Sequence, residues 1–121
     1  MKYIFLWYPK CTTCQKARKW LEENNIVFEE RHIVENNPSK KELKTWINQS
    51  DYDIKRFFNT SGLKYKELNL KEQLPSMSND DKLKLLSTDG MLIKRPLLIL
   101  EDNVLVGFSE EKWNEILEKE D

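Results

Sequence analysis

The stretch that organises this chain is Trp7-Tyr8-Pro9-Lys10-Cys11-Thr12-Thr13-Cys14, which contains both of its cysteines. An aromatic and β-branched run, Tyr3 to Trp7, leads into it, and a charged amphipathic segment follows. This order predicts a strand, a turn and a helix whose first residues carry the two thiols. A helix N-terminus offers unpaired N–H groups and a partial positive charge, so a thiolate there has a lowered pKa and is the reactive form of cysteine.

Length and composition limit the class of protein. The 121 residues fit one domain spanning 1–121, and 39% apolar with 34% charged residues indicate a soluble protein with its own core. The net charge of −1 argues against a protein that coats nucleic acid. The apolar run from Tyr3 to Tyr8 is too short for a signal peptide or a membrane span. Two cysteines at this spacing suit redox chemistry in a reducing compartment, so we expect a cytoplasmic protein with no membrane partner. The few glycines and a core of monomer size favour a monomer.

The remaining pattern predicts a βαβ unit, a helical insertion at about 39–90, and then a ββα unit. The expected strands are 3–7, 26–34, 97–100 and 104–108, and the expected helical segments are 12–24, 40–48, 51–58, 63–70, 78–87 and 110–117. Ser39 with Glu42 forms a capping box, and Ser78 is expected to cap the helix that follows it. In the 63–70 helix, Tyr65 and Leu68 are expected to point inward. The first two strands should be parallel because a helix joins them.

A Cys-x-x-Cys pair at the first strand–helix junction of a βαβ unit indicates a thioredoxin-like redox motif. Such folds carry a proline just before their third strand, after a cis peptide bond and facing the thiols, and Pro96 occupies that position. The two cysteines could otherwise form half of a zinc site, but His32 is the only histidine and no further cysteine is present. We therefore expect an α/β protein with a thioredoxin-like mixed sheet and no metal.

Four motifs carry a resemblance to a known family over nearly the whole chain. They are Tyr8 to Cys14, Asn37-Pro38-Ser39, Leu92-Ile93-Lys94-Arg95-Pro96-Leu97 and Val106-Gly107-Phe108. With these motifs the chain resembles the arsenate reductase (ArsC)-like family, which includes the Spx and MgsR regulators. The resemblance implies a thioredoxin-like fold, a nucleophile at Cys11 and an arginine beside it at Arg95.

Three functions remain open. We favour a glutaredoxin- or thioredoxin-like thiol–disulfide oxidoreductase, in which the Cys11 thiolate attacks a disulfide and Cys14 resolves the mixed intermediate. The alternative is a redox-sensing transcriptional regulator that binds the C-terminal domain of the RNA polymerase α subunit. Regulators in the family often carry a glycine in their polymerase-contacting loop, where this chain has Asp53.

The third function is arsenate reduction. The resemblance implies three arginines around the arsenate, and Arg95 matches one of them. Asn59 and Gly107 stand where the other two are expected, and Arg56 lies one helical turn away. Because a dianion is usually recognised by several charged donors, these departures weigh against this function.

The other expected site residues are Lys10, Thr12, Thr13 and Pro96. Lys10 or Arg95 would stabilise the thiolate, and the two threonines would offer hydroxyl or N–H groups to the sulfur. Pro96 would shape the surface on which a substrate backbone lies. We expect no bound cofactor. Glutathione or a dithiol protein would serve as reductant, and a disulfide-bearing protein or glutathione as partner.

Overall fold

The computed structural model describes residues 3–120, without the side chains of 118–120. Met1, Lys2 and Asp121, which the single-domain prediction included, lie outside the described residues, and that prediction stays a prediction. The strands are β1 Tyr3–Trp7, β2 Phe28–His32, β3 Leu97–Ile99 and β4 Val104–Val106. The α-helices are α1 Thr12–Glu23, α2 Lys40–Gln49, α3 Leu63–Glu67, α4 Leu70–Gln73, α5 Asn79–Leu86 and α6 Glu110–Glu120. Short 3₁₀ helices span Ile54–Phe57, Leu74–Ser76 and Gly90–Leu92.

The four strands form one mixed sheet in the order β2-β1-β3-β4. β1 pairs with β2 in parallel, with Tyr3 opposite Phe28 and Trp7 opposite His32. β3 runs antiparallel to both β1 and β4. The parallel pair follows from the helix that joins it, and the antiparallel pair β3–β4 follows from its short connection. The fold-class prediction is confirmed.

The core lies on both faces of this sheet. Phe5 and Leu6 are both fully buried, and adjacent residues of a strand point to opposite faces. Phe5 packs in a cluster with residues of α1 and α6, including Leu21 and Trp113. Leu6 packs in a second cluster formed largely by the inserted helices. The continuous apolar sequence of β1 therefore reflects a strand that is covered on both sides.

The helical insertion begins with the predicted capping box. The Ser39 hydroxyl accepts the Glu42 N–H at 3.1 Å, and the Glu42 carboxylate accepts the Ser39 N–H at 3.0 Å. The Ser78 hydroxyl likewise accepts the N–H of Asp81 at 3.1 Å. Both caps are confirmed. Within residues 3–120, no helix is long and apolar enough to cross a membrane.

Several predicted boundaries are wrong. The predicted 51–58 segment forms only the 3₁₀ helix Ile54–Phe57, β2 ends at His32 rather than residue 34, and β4 ends at Val106 rather than residue 108. β2 begins at Phe28 rather than residue 26, because the Ile26 N–H donates to the Leu21 carbonyl at 3.0 Å and so closes the end of α1. Leu68 was expected to point inward but is 38% exposed. Asn69, with a φ of 53°, adopts a left-handed conformation that ends the helical pattern before it. The buried position therefore shifts to Leu70.

Candidate active site

A tight turn after β1 places Cys11 at the start of α1. The Cys11 N–H donates to the Tyr8 carbonyl at 2.9 Å, and the Cys11 carbonyl accepts the Gln15 N–H at 3.0 Å. The Gln15 side chain closes the turn from outside by donating to the Pro9 carbonyl at 2.7 Å. Cys11 has an extended backbone and is the residue immediately before the first helical turn. Its thiol therefore faces N–H groups that have no partner within the helix.

The two cysteines are not bonded to each other in this structure, and their surroundings differ. Cys11 is partly exposed, whereas Cys14 is fully buried. Burial alone would raise the pKa of Cys11, but hydrogen bonds from the N–H and the thiol of Cys14, the charge of Arg95 and the N–H of Thr13 together lower it. The lowered pKa makes Cys11 the more nucleophilic candidate at neutral pH.

Cys14 has the opposite character. Its burial raises the pKa of its thiol to about 12, and its interactions with the Cys11 sulfur add to the rise. The N–H of Tyr8 and the charge of Arg95 oppose this rise without cancelling it. Each thiol influences the pKa of the other, so the two are neighbours, and the Cys14 S–H can donate to the Cys11 sulfur when Cys11 is a thiolate.

Arg95 lies beside these thiols on the segment that leads into β3. The Lys94 N–H donates to the Phe57 carbonyl at 2.8 Å, which fixes this segment against the end of a 3₁₀ helix. The Arg95–Pro96 bond is cis, as the sequence predicted. The Arg95 guanidinium carbon lies 5.4 Å from the centre of the Tyr8 ring. Its Nε and Nη1 atoms are buried and have no hydrogen-bond partner within residues 3–120. Buried donors without an acceptor are costly, so an incoming anion would stabilise this arginine.

Two grooves meet at Arg95. The first, which we call the thiol groove, has a volume of about 550 Å³ and contains Cys11 in its wall. The second, which we call the basic groove, has a volume of about 330 Å³. Thr13, Lys94 and Arg95 line both. The thiol groove is also lined by Asn59, Ser61, Gly62, Leu63, Lys64, Glu67, Asp89 and Met91. The basic groove is also lined by Tyr52, Arg56, Leu105, Val106, Gly107, Phe108, Ser109, Lys112 and Trp113.

The predicted site residues are only partly brought together. Besides the two thiols and Arg95, Thr13 faces both grooves. Lys10 and Thr12 are exposed and stand outside the lining of either groove. Pro96 is buried behind Arg95, and its carbonyl accepts the Gly107 N–H at 2.9 Å. Its predicted contact with a substrate backbone stays a prediction.

Sequence reasoning missed much of the basic groove. Tyr52 and Lys112 line it, although no local pattern indicates a role for them, and Lys94 stands in a family motif but has no predicted role. Arg56 was noted only as displaced from an expected arginine position, and it lines this groove and not the thiol groove. Lysine and arginine at exposed helix positions carry no signal by themselves, because most such charges are solvated.

His32, the one histidine of the chain, has structural partners. Its Nδ1 accepts the N–H groups of Val34 at 3.2 Å and Glu35 at 3.0 Å, directly after β2. Across the described side chains there is no group of three histidine, cysteine or carboxylate residues that could hold a metal ion.

Comparison with known proteins places this arrangement in a family. The ArsC family model matches residues 6–116, nearly the whole chain. The chain belongs to the ArsC family. The family prediction is therefore confirmed, and so is its implication of a thioredoxin-like fold.

Individual relatives of this ArsC-family protein span almost its full length. The uncharacterized protein YusI of Bacillus subtilis is 56% identical and covers 95% of this chain and 98% of its own. The global transcriptional regulator Spx of Bacillus subtilis is 32% identical, over 90% of this chain and 82% of Spx. A crystal structure of a putative ArsC family related protein from Bacteroides fragilis superposes with a TM-score of 0.92 at 53% identity, covering 96% of this chain and 98% of that one.

Proposed function

We propose that this ArsC-family protein is a thiol–disulfide oxidoreductase that uses Cys11 and Cys14 as its redox pair. The observation that supports this most directly is the opposed character of two neighbouring thiols. Cys11 is accessible and its pKa is lowered, whereas Cys14 is buried and its pKa is raised to about 12. Cys11 is thus suited to attack a substrate disulfide, and Cys14 lies beside it to resolve the mixed disulfide that results.

The proposed reaction has two displacement steps. In the first, the Cys11 thiolate attacks one sulfur of a substrate disulfide, a bond forms between Cys11 and that sulfur, and the other half leaves as a thiolate. In the second, the Cys14 thiol loses its proton to solvent and attacks the Cys11 sulfur, releasing the second half as a thiolate. The substrate disulfide gains two electrons and the protein loses two, which leaves a Cys11–Cys14 disulfide.

Other side chains take supporting roles in this proposal. Arg95 and the Thr13 N–H stabilise the Cys11 thiolate, in line with their influence on its pKa. Pro96 is buried behind Arg95 and lines neither groove, so we propose that it acts on a substrate backbone through the position it gives Arg95. Lys10 and Thr12 are exposed next to Cys11 and would contact a substrate outside the two grooves. Glutathione or a dithiol protein would reduce the Cys11–Cys14 disulfide again, which fits a cytoplasmic protein with no bound cofactor.

A redox titration tests the proposal. The protein is equilibrated with glutathione buffers of stated ratio, quenched with an alkylating agent and analysed by mass. We expect a two-electron transition between the dithiol and the Cys11–Cys14 disulfide, within the range of about −270 to −120 mV that related dithiols span. The Cys14→Ser variant should instead accumulate glutathione on Cys11.

Absence of an internal disulfide in the native protein at every ratio would contradict the two-cysteine mechanism. If glutathione then accumulated on Cys11 of the native protein as it does in the variant, the chemistry would need only one cysteine. A Cys11→Ser protein serves as the control, because it should form neither species.

A redox-sensing regulator is the second candidate. It is supported by the similarity to Spx, which is described as a global transcriptional regulator. The same thiol pair would then act as a switch, and the C-terminal domain of the RNA polymerase α subunit would be the partner. Titration of that domain with the reduced and the oxidised protein discriminates the two. Binding that depends on the redox state would favour the regulator, and absence of binding in both states would favour the oxidoreductase.

Arsenate reduction has the least support of the three. The thiol groove is lined by Lys64, Lys94 and Arg95 but also by the carboxylates of Glu67 and Asp89, which offset much of its positive charge, and Lys64 pairs with Asp89 at 3.9 Å. Asn59 lines this groove where the family resemblance implies an arginine, and the other such position, Gly107, borders the basic groove.

A further inference from the structure

The basic groove differs from the thiol groove in its charge. Four cationic side chains line it, from Arg56, Lys94, Arg95 and Lys112. Of the described residues that line it, none is acidic. A concave surface with charges of one sign and low-dielectric walls concentrates ligands of the opposite sign. In a protein with a net charge of −1, this concentration of positive charge is local.

Tyr52 holds two of these cations at the groove. The Arg56 guanidinium carbon lies 4.9 Å from the centre of its ring, and the Lys112 ammonium nitrogen lies 4.8 Å from it. Arg56 comes from the 3₁₀ helix at Ile54–Phe57 and Lys112 from the first turn of α6, so the fold brings two distant segments together here. Because both cations lie within 5 Å of the same ring centre, they are at most about 10 Å apart, and an anion bound between them would be attracted by both.

The groove also has room and an apolar floor. Leu105, Phe108 and Trp113 line it, and its volume of about 330 Å³ is at the lower end of the range for small-molecule sites. Gly107 adopts a φ of 75°, and a Cβ placed there would approach only the Lys94 side chain, at 3.7 Å. The absence of a side chain at Gly107 therefore keeps this wall open. Such a surface fits an organic anion, for example part of a peptide, better than a small inorganic one.

Arg95 connects this groove to the reactive thiol. It lines both grooves, and its buried Nε and Nη1 atoms lack an acceptor within residues 3–120. Thr13, whose N–H faces the Cys11 sulfur, also lines both. A ligand anchored in the basic groove would therefore extend past Arg95 towards Cys11.

We infer that the basic groove is a subsite for a carboxylate of a peptide disulfide, with Arg56 and Lys112 as the residues that select acidic substrates. The inference rests on the proposed function, because it assigns a substrate class to the same pair of thiols. Arg56 and Lys112 attract and hold the carboxylate, and the substrate sulfur then lies beside Cys11. Disulfides that carry acidic groups should react faster than otherwise equal neutral ones.

The test compares three small disulfides as oxidants of the reduced protein. Glutathione disulfide carries free carboxylates, its fully esterified form carries none, and bis(2-hydroxyethyl) disulfide is neutral throughout. The rate of Cys11–Cys14 disulfide formation is followed by acid quenching and mass analysis at low ionic strength. The variant is Arg56→Gln with Lys112→Gln. The control is Lys55→Gln with Lys19→Gln, which removes the same charge from exposed positions outside this groove.

For the Arg56→Gln/Lys112→Gln protein we expect a loss of about tenfold in rate with glutathione disulfide, the combined size of two partly exposed charge contacts. Its rates with the esterified and hydroxyethyl disulfides should stay within about twofold of those of the native protein, since these probes offer no carboxylate. The control protein should retain most of the preference for the free carboxylates.

Three results would overturn the inference. An unchanged ratio of the free to the esterified rate in the variant would show that the groove does not bind the carboxylate. An equal loss in the control would show that only the overall charge matters. Failure of all three disulfides to form the Cys11–Cys14 bond in the native protein would overturn the proposed function together with the subsite. If the hydroxyethyl disulfide oxidises the native protein normally, the proposed function stands, and either of the first two results then counts against the subsite alone.

Discussion

Cys11 should be the thiol that a neutral alkylating agent modifies in the folded protein. The pKa of Cys14 is about 12, and that of Cys11 lies below the ordinary value of 9.0. Even at the ordinary value, Cys11 would have about a thousand times more thiolate than Cys14 at pH 7. A thiolate of higher pKa is, however, the stronger nucleophile. With a Brønsted coefficient of about 0.4–0.5, each Cys14 thiolate would react roughly 15- to 30-fold faster than a Cys11 thiolate, which offsets part of the difference in thiolate population. Cys11 should therefore react at least about 30-fold faster.

The assay is iodoacetamide modification between pH 6 and 9, with the modified cysteine identified by mass. Full burial of Cys14 adds to the expected difference, because the reagent must also reach the sulfur. The Cys11→Ser protein should stay almost unmodified until it is unfolded in urea. Unfolding should make both cysteines of the native sequence react at similar rates, which is the control for the reagent.

Variants at Cys14 test the cause of the lowered pKa. Cys14→Ala removes the side-chain donor to the Cys11 sulfur and should shift the pH profile of Cys11 modification upward. Cys14→Ser keeps a hydroxyl donor and should shift the profile less. Modification of Cys11→Ser at the rate of the native protein would refute the reasoning, as would a native profile centred at or above pH 9.0.

Two further predictions concern the scaffold. Glu42→Gln should lower the free energy of unfolding by about 1 kcal/mol at pH 7, after allowance for the exposure of this carboxylate. Hydrogen bonding to Arg31 lowers the pKa of Glu42 to about 2, so its stabilisation is present above its ordinary pKa of 4.5 and is lost as the pH falls towards 2. An equal loss of unfolding free energy in Glu42→Gln at pH 7 and at pH 3, measured by urea unfolding, would contradict this. Gly90→Ala should cost about 1–3 kcal/mol in the same assay, because the new Cβ would lie 1.9 Å from the Ile33 carbonyl oxygen. Thr60→Ala, at an exposed position, is its control, and native-like stability of Gly90→Ala would show that the backbone there adjusts freely.

The parts of the fold that the sequence predicts are those determined within a few residues. The bounds of β1 match the prediction, and those of α1 match to within a residue, because an apolar run, a proline turn and a helical apolar face follow one another directly. The capping box of α2 depends only on Ser39 and Glu42, which are three residues apart in the sequence. The residue types within a few positions are sufficient to predict these elements. They also predict that the two thiols lie at the start of α1.

The errors arise where a backbone conformation overrides a side-chain pattern. Ile26 has a strand-forming side chain, but its N–H is used to close α1 and is not free for the sheet. β4 was expected to reach Phe108, but it ends at Val106 because Gly107 turns the chain with a φ of 75°. The left-handed Asn69 interrupts a helical pattern in the same way. Apolar periodicity alone does not report such conformations.

For the site, the sequence and the family resemblance pointed to the two thiols and to Arg95 beside them, but not to the basic groove, and the role of Pro96 stays a prediction. That groove depends on Tyr52, Arg56 and Lys112, which come from the insertion and from the first turn of α6. Lys112 joins the other two through tertiary packing, and no spacing in the sequence encodes its position. Tyr52 and Arg56 are four residues apart in a segment predicted to be helical, so their contact follows from local spacing, whereas the approach of Lys112 does not.

In the proposed reaction, the first step itself activates the second thiol. Burial is the largest influence that raises the pKa of Cys14, and the Cys11 sulfur raises it further by hydrogen bonding and by its charge. Once Cys11 is part of a mixed disulfide, its sulfur is neutral and a weak acceptor, so both of these additional influences disappear. The Tyr8 N–H and the Arg95 charge, which favour the Cys14 thiolate, remain. The resting protein therefore presents one nucleophile, and Cys14 becomes more acidic only when a mixed disulfide needs to be resolved.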